Sequence, residues 1–104
     1  MTRALALITS LLLMASQARA EVDASRQIEL MYLIRQDCGS CHGMTLKGGL
    51  GPSLLPDALS GKPSELLVST ILEGRANTAM PPWKSMLTHD EAEWITVQLQ
   101  QGLK

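Results

Sequence analysis

The residues with the clearest chemistry are two cysteines and a histidine in one short segment, Cys38-Gly39-Ser40-Cys41-His42. Two thiols at this spacing can form a disulfide, act as a redox pair, provide half of a zinc site or attach a haem. A thioredoxin-like redox pair requires a context of strands and helices, and no segment of this chain has the pattern of a strand. A structural zinc site requires four ligands, and the other histidine of the chain lies far away in sequence. The redox and zinc interpretations are therefore poorly supported.

Covalent haem attachment is the interpretation that uses all three of these residues. The thiols of Cys38 and Cys41 add to the two haem vinyl groups, and His42 becomes an axial ligand of the iron. Two intervening residues let one helical turn present both sulfur atoms to the edge of the porphyrin. The segment therefore predicts one haem c, bound covalently through Cys38 and Cys41.

The first twenty residues have the pattern of a secretory signal peptide. Arg3 precedes an apolar run from Ala4 to Ala15, and the triplet Ala18-Arg19-Ala20, with a small residue at each end, follows. The apolar run is too short for a helix that crosses a hydrocarbon core roughly 30 Å thick. We therefore predict a signal peptide over 1–20, removed on export, and one mature periplasmic domain over 21–104, rather than a retained membrane anchor.

The composition of the mature domain narrows its partners. Removal of the signal peptide leaves seven basic and ten acidic residues, a formal charge of about −3. This balance provides no basic stripe for nucleic acid, and no second long apolar run remains for a membrane. The chain has no phenylalanine, two tryptophans and one tyrosine, so a domain of this size has a thin core of its own. We expect a monomer whose core is completed by a cofactor.

Three amphipathic helices are predicted to surround that cofactor. The first runs from Asp23 to about Gln36 and leads directly to the cysteines; its apolar residues are Ile28, Met31, Tyr32, Leu33 and Ile34. The second covers Ser64 to Glu73 and ends at Gly74, a residue suited to the position after a helix; one of its faces carries Leu67, Val68, Ile71 and Leu72. The third begins at a capping box, Thr88 to Glu91, in which side chains and backbone donors satisfy each other. The sequence therefore predicts an all-α domain.

Two long irregular segments separate the predicted helices, over residues 43–56 and 75–86. The first is rich in glycine and proline, and the second contains the pair Pro81-Pro82, which forces an extended path. Loops of this length in a small domain are usually functional or wrapped around another component.

A second axial ligand is needed opposite the histidine, and it is a side chain, a water or a substrate. Occupation by a side chain indicates a carrier, whereas an open position indicates a haem enzyme or sensor. The candidate side chains are Met31, Met44, Met80, Met86 and His89. Met80 is preferred because two prolines stiffen the loop behind it, while Met86 is better suited to packing and His89 to a solvent-facing first helical turn.

Other loop residues have roles that the sequence leaves open. The Pro52 carbonyl can accept a hydrogen bond from the second ring nitrogen of His42, or Pro52 is an ordinary turn residue. Trp83 is expected to pack on the haem, and its indole N–H is free to bind a propionate. Three loop cations are either solvated or steer an acidic partner to the haem edge: Lys47, Arg75 and Lys84.

Taken together, the mature chain resembles a class I c-type cytochrome. The resemblance is carried by the two cysteines with their histidine, by Gly51-Pro52 with Leu54, and by Met80-Pro81-Pro82-Trp83. More narrowly, "RQDCGSCHGMTLKGGLGPSL" and "ILEGRANTAMPPW" look like the small monohaem cytochromes associated with dissimilatory nitrite reductase in denitrifying bacteria, the NirC type.

The resemblance implies a small class I cytochrome c fold, with three main helices and long loops around one covalently bound haem. It implies that His42 and Met80 are the metal ligands, that Pro52 is the carbonyl partner of the histidine, and that Leu54 lines the haem pocket. It also implies an electron carrier without substrate turnover, which donates to periplasmic nitrite reductase. The alternative implied by the same family is an accessory factor in the maturation of the reductase haem.

The chain departs from the class I pattern at the first helix. Many members have a glycine eight residues before the first cysteine and an aromatic residue four before it, where this chain has Leu30 and Ile34. Trp94 occupies the expected aromatic position on the last helix. We therefore expect the bulky side chains where the first and last helices cross to be placed differently from those of typical class I members.

Overall fold

The computed structural model describes residues 21–104, so the predicted signal peptide lies outside the described residues. Within this range there are helices and loops and no strands, which confirms the all-α fold class. None of the described helices is long and apolar enough to span a membrane. The helical elements, in chain order, are α1 (Ala24–Leu33), a π-helical segment (Ile34–Cys38), α2 (Gly39–His42), α3 (Pro56–Leu59), α4 (Ser64–Glu73) and α5 (His89–Gln101).

The first predicted helix extends further than the sequence indicates, and it changes its winding. Asp23 caps α1, since its carboxylate accepts a hydrogen bond from the Arg26 backbone N–H at 2.9 Å. Beyond Leu33 the backbone widens into a π-helical turn, in which the Gly39 N–H donates to the Ile34 carbonyl five residues earlier. Such turns occur frequently at functional sites, and this one ends at Cys38, the first cysteine of the predicted attachment segment.

The two later main helices are confirmed. Helix α4 has the predicted bounds and ends at Gly74. At the start of α5 the Glu91 N–H donates to the Thr88 hydroxyl at 3.1 Å, and the Thr88 N–H donates to the Glu91 carboxylate at 2.9 Å. The short helix α3 was not predicted, because its proline at the first position also suits the loop in which the sequence analysis placed it.

The hydrophobic core lies where α1 and the π-helical segment meet α5. Leu30 and Ile34 are fully buried and pack with Ile95, so the two departures from the class I pattern fill the helix crossing with aliphatic bulk. In contrast, Ile28 is 74% exposed and Tyr32 is 67% exposed, although both were counted in the apolar pattern of the first helix. The buried stripe of α1 is therefore narrower than the sequence pattern indicates.

A polar cluster joins the N-terminal ends of α1 and α5. The Arg26 guanidinium donates from Nε to the Glu91 carboxylate, from Nη1 to Glu29 at 2.7 Å and from Nη2 to the Met86 carbonyl at 3.3 Å. The hydrogen bond from Arg26 holds the pKa of the Glu91 carboxyl below its ordinary value of 4.5, and burial opposes this shift only in part. Glu91 therefore serves both the helix cap and the contact between the two helices.

The lowered pKa of Glu91 predicts a pH-dependent contribution to stability. Because the folded-state pKa lies below the unfolded-state value, the contribution is fully present above about pH 4.5 and is lost as the pH falls through the folded-state pKa. We expect Glu91→Gln, which keeps an amide able to cap α5, to lower the unfolding free energy of the haem-loaded protein at neutral pH by about 1 kcal/mol. Denaturant titrations should show this difference shrinking as the pH falls below about 4.5.

The exposed Glu65, in the first turn of α4, provides the matched control. Glu65→Gln removes the same formal charge from an exposed site and should leave the unfolding free energy at neutral pH within about 0.5 kcal/mol of the wild-type value. If the loss of unfolding free energy caused by Glu91→Gln stayed constant down to pH 3, the role of the ionised carboxylate would be contradicted.

Candidate cofactor site

A cavity of about 620 Å³ opens between the cysteine segment, the two long loops, α4 and the inner face of α5. This volume lies within the range of about 300 to 1,000 Å³ that is typical of cofactor sites. The cavity brings together Cys38, Cys41, His42, Met80 and Trp83, which are up to 45 positions apart in the printed sequence. A smaller cavity of about 290 Å³ at the C-terminal end of α5 contains none of these five residues. Most of the larger cavity wall is aliphatic, including Leu33, Leu50, Leu54, Leu59, Leu66, Leu67, Ile71, Leu87, Ile95 and Leu99.

The two cysteines face this cavity as free thiols. Both are half-buried, and they are not joined to each other. Burial raises the pKa of the Cys38 thiol to about 11, and the adjacent Asp37 carboxylate adds to the shift. A redox pair needs a thiolate at neutral pH, so this environment disfavours that use of the cysteines.

The His42 imidazole is oriented by the first long loop. Its Nδ1 lies 2.7 Å from the Pro52 carbonyl oxygen. Because a carbonyl can only accept, Nδ1 carries the proton, and Nε2 retains the lone pair that a metal requires. The structure therefore contains the contact that the sequence analysis proposed for Pro52, while the role of His42 as a ligand stays a prediction.

Gly51 allows this loop to approach the imidazole closely. A Cβ atom at this position would lie 2.8 Å from Cε1 and 2.9 Å from Nδ1 of His42, closer than side-chain carbons pack. The Gly51 N–H donates to the Cys41 carbonyl at 2.8 Å, which ties the loop to the attachment segment. The contact between Gly51 and the ring was not predicted from the sequence, although the Gly51-Pro52 pair was the signal for it.

Further backbone hydrogen bonds hold the first loop in one shape. The Gly48 N–H donates to the His42 carbonyl at 2.8 Å, and the Leu54 N–H donates to the Leu46 carbonyl at 2.9 Å. Leu54 lines the cavity, and its role in a haem pocket stays a prediction. The imidazole is therefore held by a loop with its own internal hydrogen bonds.

Met80 is placed by the second long loop. The Arg75 N–H donates to the Met80 carbonyl at 3.3 Å, and the Trp83 N–H donates to the Ile71 carbonyl of α4 at 3.0 Å. A Cβ atom on Gly74 would lie 2.6 Å from the Met80 carbonyl oxygen, so the loop can pack this closely only because glycine has no side chain. Trp83 lines the cavity and is half-buried.

Among the five candidates for the second ligand, all within the described residues, Met80 is the one that lines the cavity. Met86 is 58% exposed, and the exposed His89 imidazole faces Glu93 with Nδ1 3.4 Å from the carboxylate. Met31 packs against the core, and Met44 lines the smaller cavity. This placement separates Met80 from the alternatives that sequence analysis left open.

The donor set fits a haem attached through thioethers. Two thiols, one imidazole nitrogen with a free lone pair and one thioether sulfur are the groups that such a haem takes from a protein. His42 belongs to the wall made by α2 and the first loop, and Met80 belongs to the wall made by the second loop. The aliphatic lining of the cavity suits the porphyrin.

The wall contributed by α4 was only partly anticipated. Two pairs of α4 residues, each four positions apart, line the cavity: Leu66 with Thr70, and Leu67 with Ile71. The helical spacing assigned Leu67 and Ile71 to one apolar face, but it did not indicate whether that face meets another helix or a cofactor.

Residues 27–97 match the family model described as "Cytochrome C oxidase, cbb3-type, subunit III". The chain is 56% identical over 80 residues to "Cytochrome c55X" of Pseudomonas aeruginosa. The aligned region covers 77% of this chain and 67% of that protein. A solved structure, "c-type cytochrome NirC", is 55% identical with a TM-score of 0.77, and the match covers 79% of this chain and 96% of that one. "Dihydro-heme d1 dehydrogenase" of Pseudomonas aeruginosa is 37% identical over 70 residues, which is 67% of this chain and 14% of that protein. The family match contains both cysteines, His42 and Met80.

Proposed function

The chain belongs to the cbb3-type subunit III family of c-type cytochromes and, within it, to the monohaem NirC type, and from this premise we propose that it carries single electrons in the periplasm. The denitrification context of the NirC type makes dissimilatory nitrite reductase the acceptor that we propose. Residues 1–20 are then a signal peptide that is removed on export, and residues 21–104 are the mature domain. The protein turns over no substrate of its own.

Haem c, once attached, would supply one-electron chemistry, and we assign His42 and Met80 as the residues that would hold its iron. The observation that carries the proposal is that both side chains line one cavity with the two cysteines. Two protein ligands leave no coordination position for a substrate, which favours a carrier over a haem enzyme or sensor. A histidine and methionine pair also raises the reduction potential, as suits a donor to a terminal reductase.

The surrounding side chains favour electron transfer with little movement. The Pro52 carbonyl fixes the proton of His42 on Nδ1, and Gly51 lets the loop hold the ring in place. Leu54 and Trp83 contribute apolar wall, which keeps water away from the site, and the Trp83 indole N–H is assigned to a haem propionate. Since these groups are held by backbone hydrogen bonds, one electron can arrive or leave without rearrangement of the loops.

The proposal is tested by mixing the reduced, haem-loaded protein with purified nitrite reductase in a stopped-flow spectrometer. With nitrite present, we expect the protein to be oxidised in repeated turnovers, because each reduced molecule gives one electron to the reductase. Without nitrite, oxidation of the protein should stop once the reductase is fully reduced. A protein that stays reduced with active reductase and nitrite would overturn the assignment of this acceptor.

The similarity to a dihydro-haem d1 dehydrogenase favours a second candidate function. A dehydrogenase releases electrons, and a monohaem cytochrome can accept them one at a time. In this alternative the chain is an electron acceptor during maturation of the reductase haem. Deletion of the gene distinguishes the two functions, because loss of a donor leaves a reductase with its full set of haems but short of electrons, whereas loss of a maturation partner leaves the reductase without its special haem.

A further inference from the structure

One residue of the first long loop has a backbone conformation that its side chain disfavours. Among the described residues other than glycine, Leu46 and Asn77 have a positive φ, 61° in both. Asparagine tolerates this left-handed region because its short polar side chain can hydrogen-bond locally, whereas the Cβ of a leucine crowds the following carbonyl oxygen. Asn77 is exposed and Leu46 is buried. The conformation of Leu46 therefore needs support from its surroundings.

The support for this conformation comes from the hydrophobic core. The Leu46 side chain is 6% exposed and belongs to the core cluster that also contains Leu30 of α1 and Leu99 of α5. Leu46 lines the smaller cavity together with Leu99, and it is not among the residues that line the larger cavity. Burial of a leucine side chain stabilises by as much as a left-handed residue costs, or more, so burial can hold the backbone here.

The backbone of Leu46 links this buried side chain to the residues that follow Pro52. The Leu46 carbonyl accepts two hydrogen bonds, from the Leu54 N–H at 2.9 Å and from the Ser53 hydroxyl at 3.2 Å. Ser53 and Leu54 come directly after Pro52, whose carbonyl oxygen lies 2.7 Å from Nδ1 of His42. The left-handed backbone at Leu46 sets the direction of its own carbonyl, and that carbonyl holds the segment next to Pro52.

We propose that Leu46 is a positioning residue for His42. Its buried side chain fixes the left-handed backbone, its carbonyl then holds Ser53 and Leu54, and the Pro52 carbonyl is kept at hydrogen-bond distance from the imidazole. This inference rests on the proposed function only in that His42 is taken as a ligand of the haem iron. A carbonyl partner fixes the tautomer of a ligating histidine and raises its basicity, so displacement of Pro52 would change the properties of that ligand.

The test measures the hydrogen bond between His42 and Pro52 in the reduced, haem-loaded protein. NMR follows the exchange of the His42 Nδ1 proton with solvent deuterium, under conditions in which every variant is folded. Leu46→Ala removes the buried side chain but keeps the Cβ that strains the backbone, whereas Leu46→Gly removes both. We expect exchange to be faster by about tenfold or more in both variants, because the loop opens more easily. The midpoint potential should rise in the same variants, because a less basic imidazole favours the reduced iron.

Leu30→Ala provides the matched control. It makes the same substitution in the same core cluster, but Leu30 lies in regular helix and is not among the residues that line either cavity. This variant should lose unfolding free energy, while the exchange rate of the His42 proton stays within about threefold of the wild-type value. Leu46→Met fills a similar volume with an apolar side chain, so it should restore slow exchange.

Ser53→Ala tests the same link in a protein whose core is intact. It keeps Leu46 and removes one of the two hydrogen bonds to the Leu46 carbonyl. The expected acceleration of exchange is smaller, about threefold, because the hydrogen bond from the Leu54 N–H remains. This variant decides the question if Leu46→Ala yields no folded haem protein.

Three results would overturn the proposal. The first is a wild-type exchange rate in Leu46→Ala or, where that variant does not fold, in Ser53→Ala. The second is slow exchange in Leu46→Gly, which would show that the loop needs no buried side chain at this position. The third is equally fast exchange in Leu30→Ala, which would make Leu46 an ordinary core residue. None of these measurements involves a redox partner, so a failure of the nitrite reductase assay would be a separate result.

Discussion

Replacement of Met80 by alanine is expected to change the iron from low spin to a high-spin or water-ligated state while the haem stays attached. The attachment depends on Cys38 and Cys41, which are distant from Met80 in sequence and belong to another wall of the cavity. Loss of the thioether should remove the weak far-red band of the oxidised protein and allow carbon monoxide to bind the reduced protein rapidly. The midpoint potential should fall by on the order of 0.1 V or more, within the span of about 0.8 V that axial ligands control.

Met86→Ala provides the control for this prediction. Its side chain is largely exposed and does not line the cavity, so the spectrum, the carbon monoxide reaction and the potential should remain those of the wild type. Absorption spectra of the denatured variants check that the thioether bonds are intact. An unchanged spectrum in Met80→Ala would contradict the assignment and would direct attention to Met86 or His89.

Substitution of Gly74 by alanine is expected to displace Met80, the proposed ligand, from outside the cavity. Gly74 has a φ of +67° and a ψ of −164°, a conformation that glycine adopts almost alone. The added Cβ would lie 2.6 Å from the Met80 carbonyl oxygen and 2.8 Å from the Pro82 nitrogen. The loop must move away from α4, so we expect a mixture of low-spin and high-spin iron and a loss of about 1–3 kcal/mol in unfolding free energy.

Alanine variants at two other glycines distinguish backbone strain from steric clash as the cause of this effect. Gly61→Ala places a side chain at a φ of +76° with no atom within 4 Å, so it tests backbone strain without a clash. Gly39→Ala lies between the cysteines in helical backbone, where the new Cβ meets the Met44 sulfur at an ordinary 3.5 Å. Unfolding titrations should show a loss for Gly61→Ala and little loss for Gly39→Ala, with low-spin spectra in both. A fully low-spin Gly74→Ala protein would contradict the role of Gly74 in positioning Met80.

The chemistry of the site was largely predictable from local sequence. The spacing of Cys38, Cys41 and His42 specifies haem attachment, because the distance between the two thiols along the chain is set by covalent geometry and one helical turn. Helix ends were equally local, since the Thr88 and Glu91 side chains satisfy backbone donors within four residues and Gly74 adopts a conformation closed to other residues. The comparisons with relatives confirm the cofactor class that these residues predicted.

Properties that depend on contacts between distant segments could not be read in this way. The periodicity of α1 counted Ile28 and Tyr32 as apolar, but only the crossing with α5 decides that Leu30 and Ile34 are the buried pair. Similarly, the π-helical turn that ends at Cys38 is not indicated by an apolar period of 3.6 residues.

The sequence by itself determined the type of cofactor, the residues that attach it and the ends of the main helices, because these follow from covalent spacing and from hydrogen bonds between near neighbours. The sequence favoured Met80, but only the tertiary structure shows that Met80 lines the cavity and how closely Gly51 approaches His42. Those features depend on the paths of two loops across the surfaces of α2 and α4. Such paths are set by packing between residues far apart in the chain, which no local pattern records.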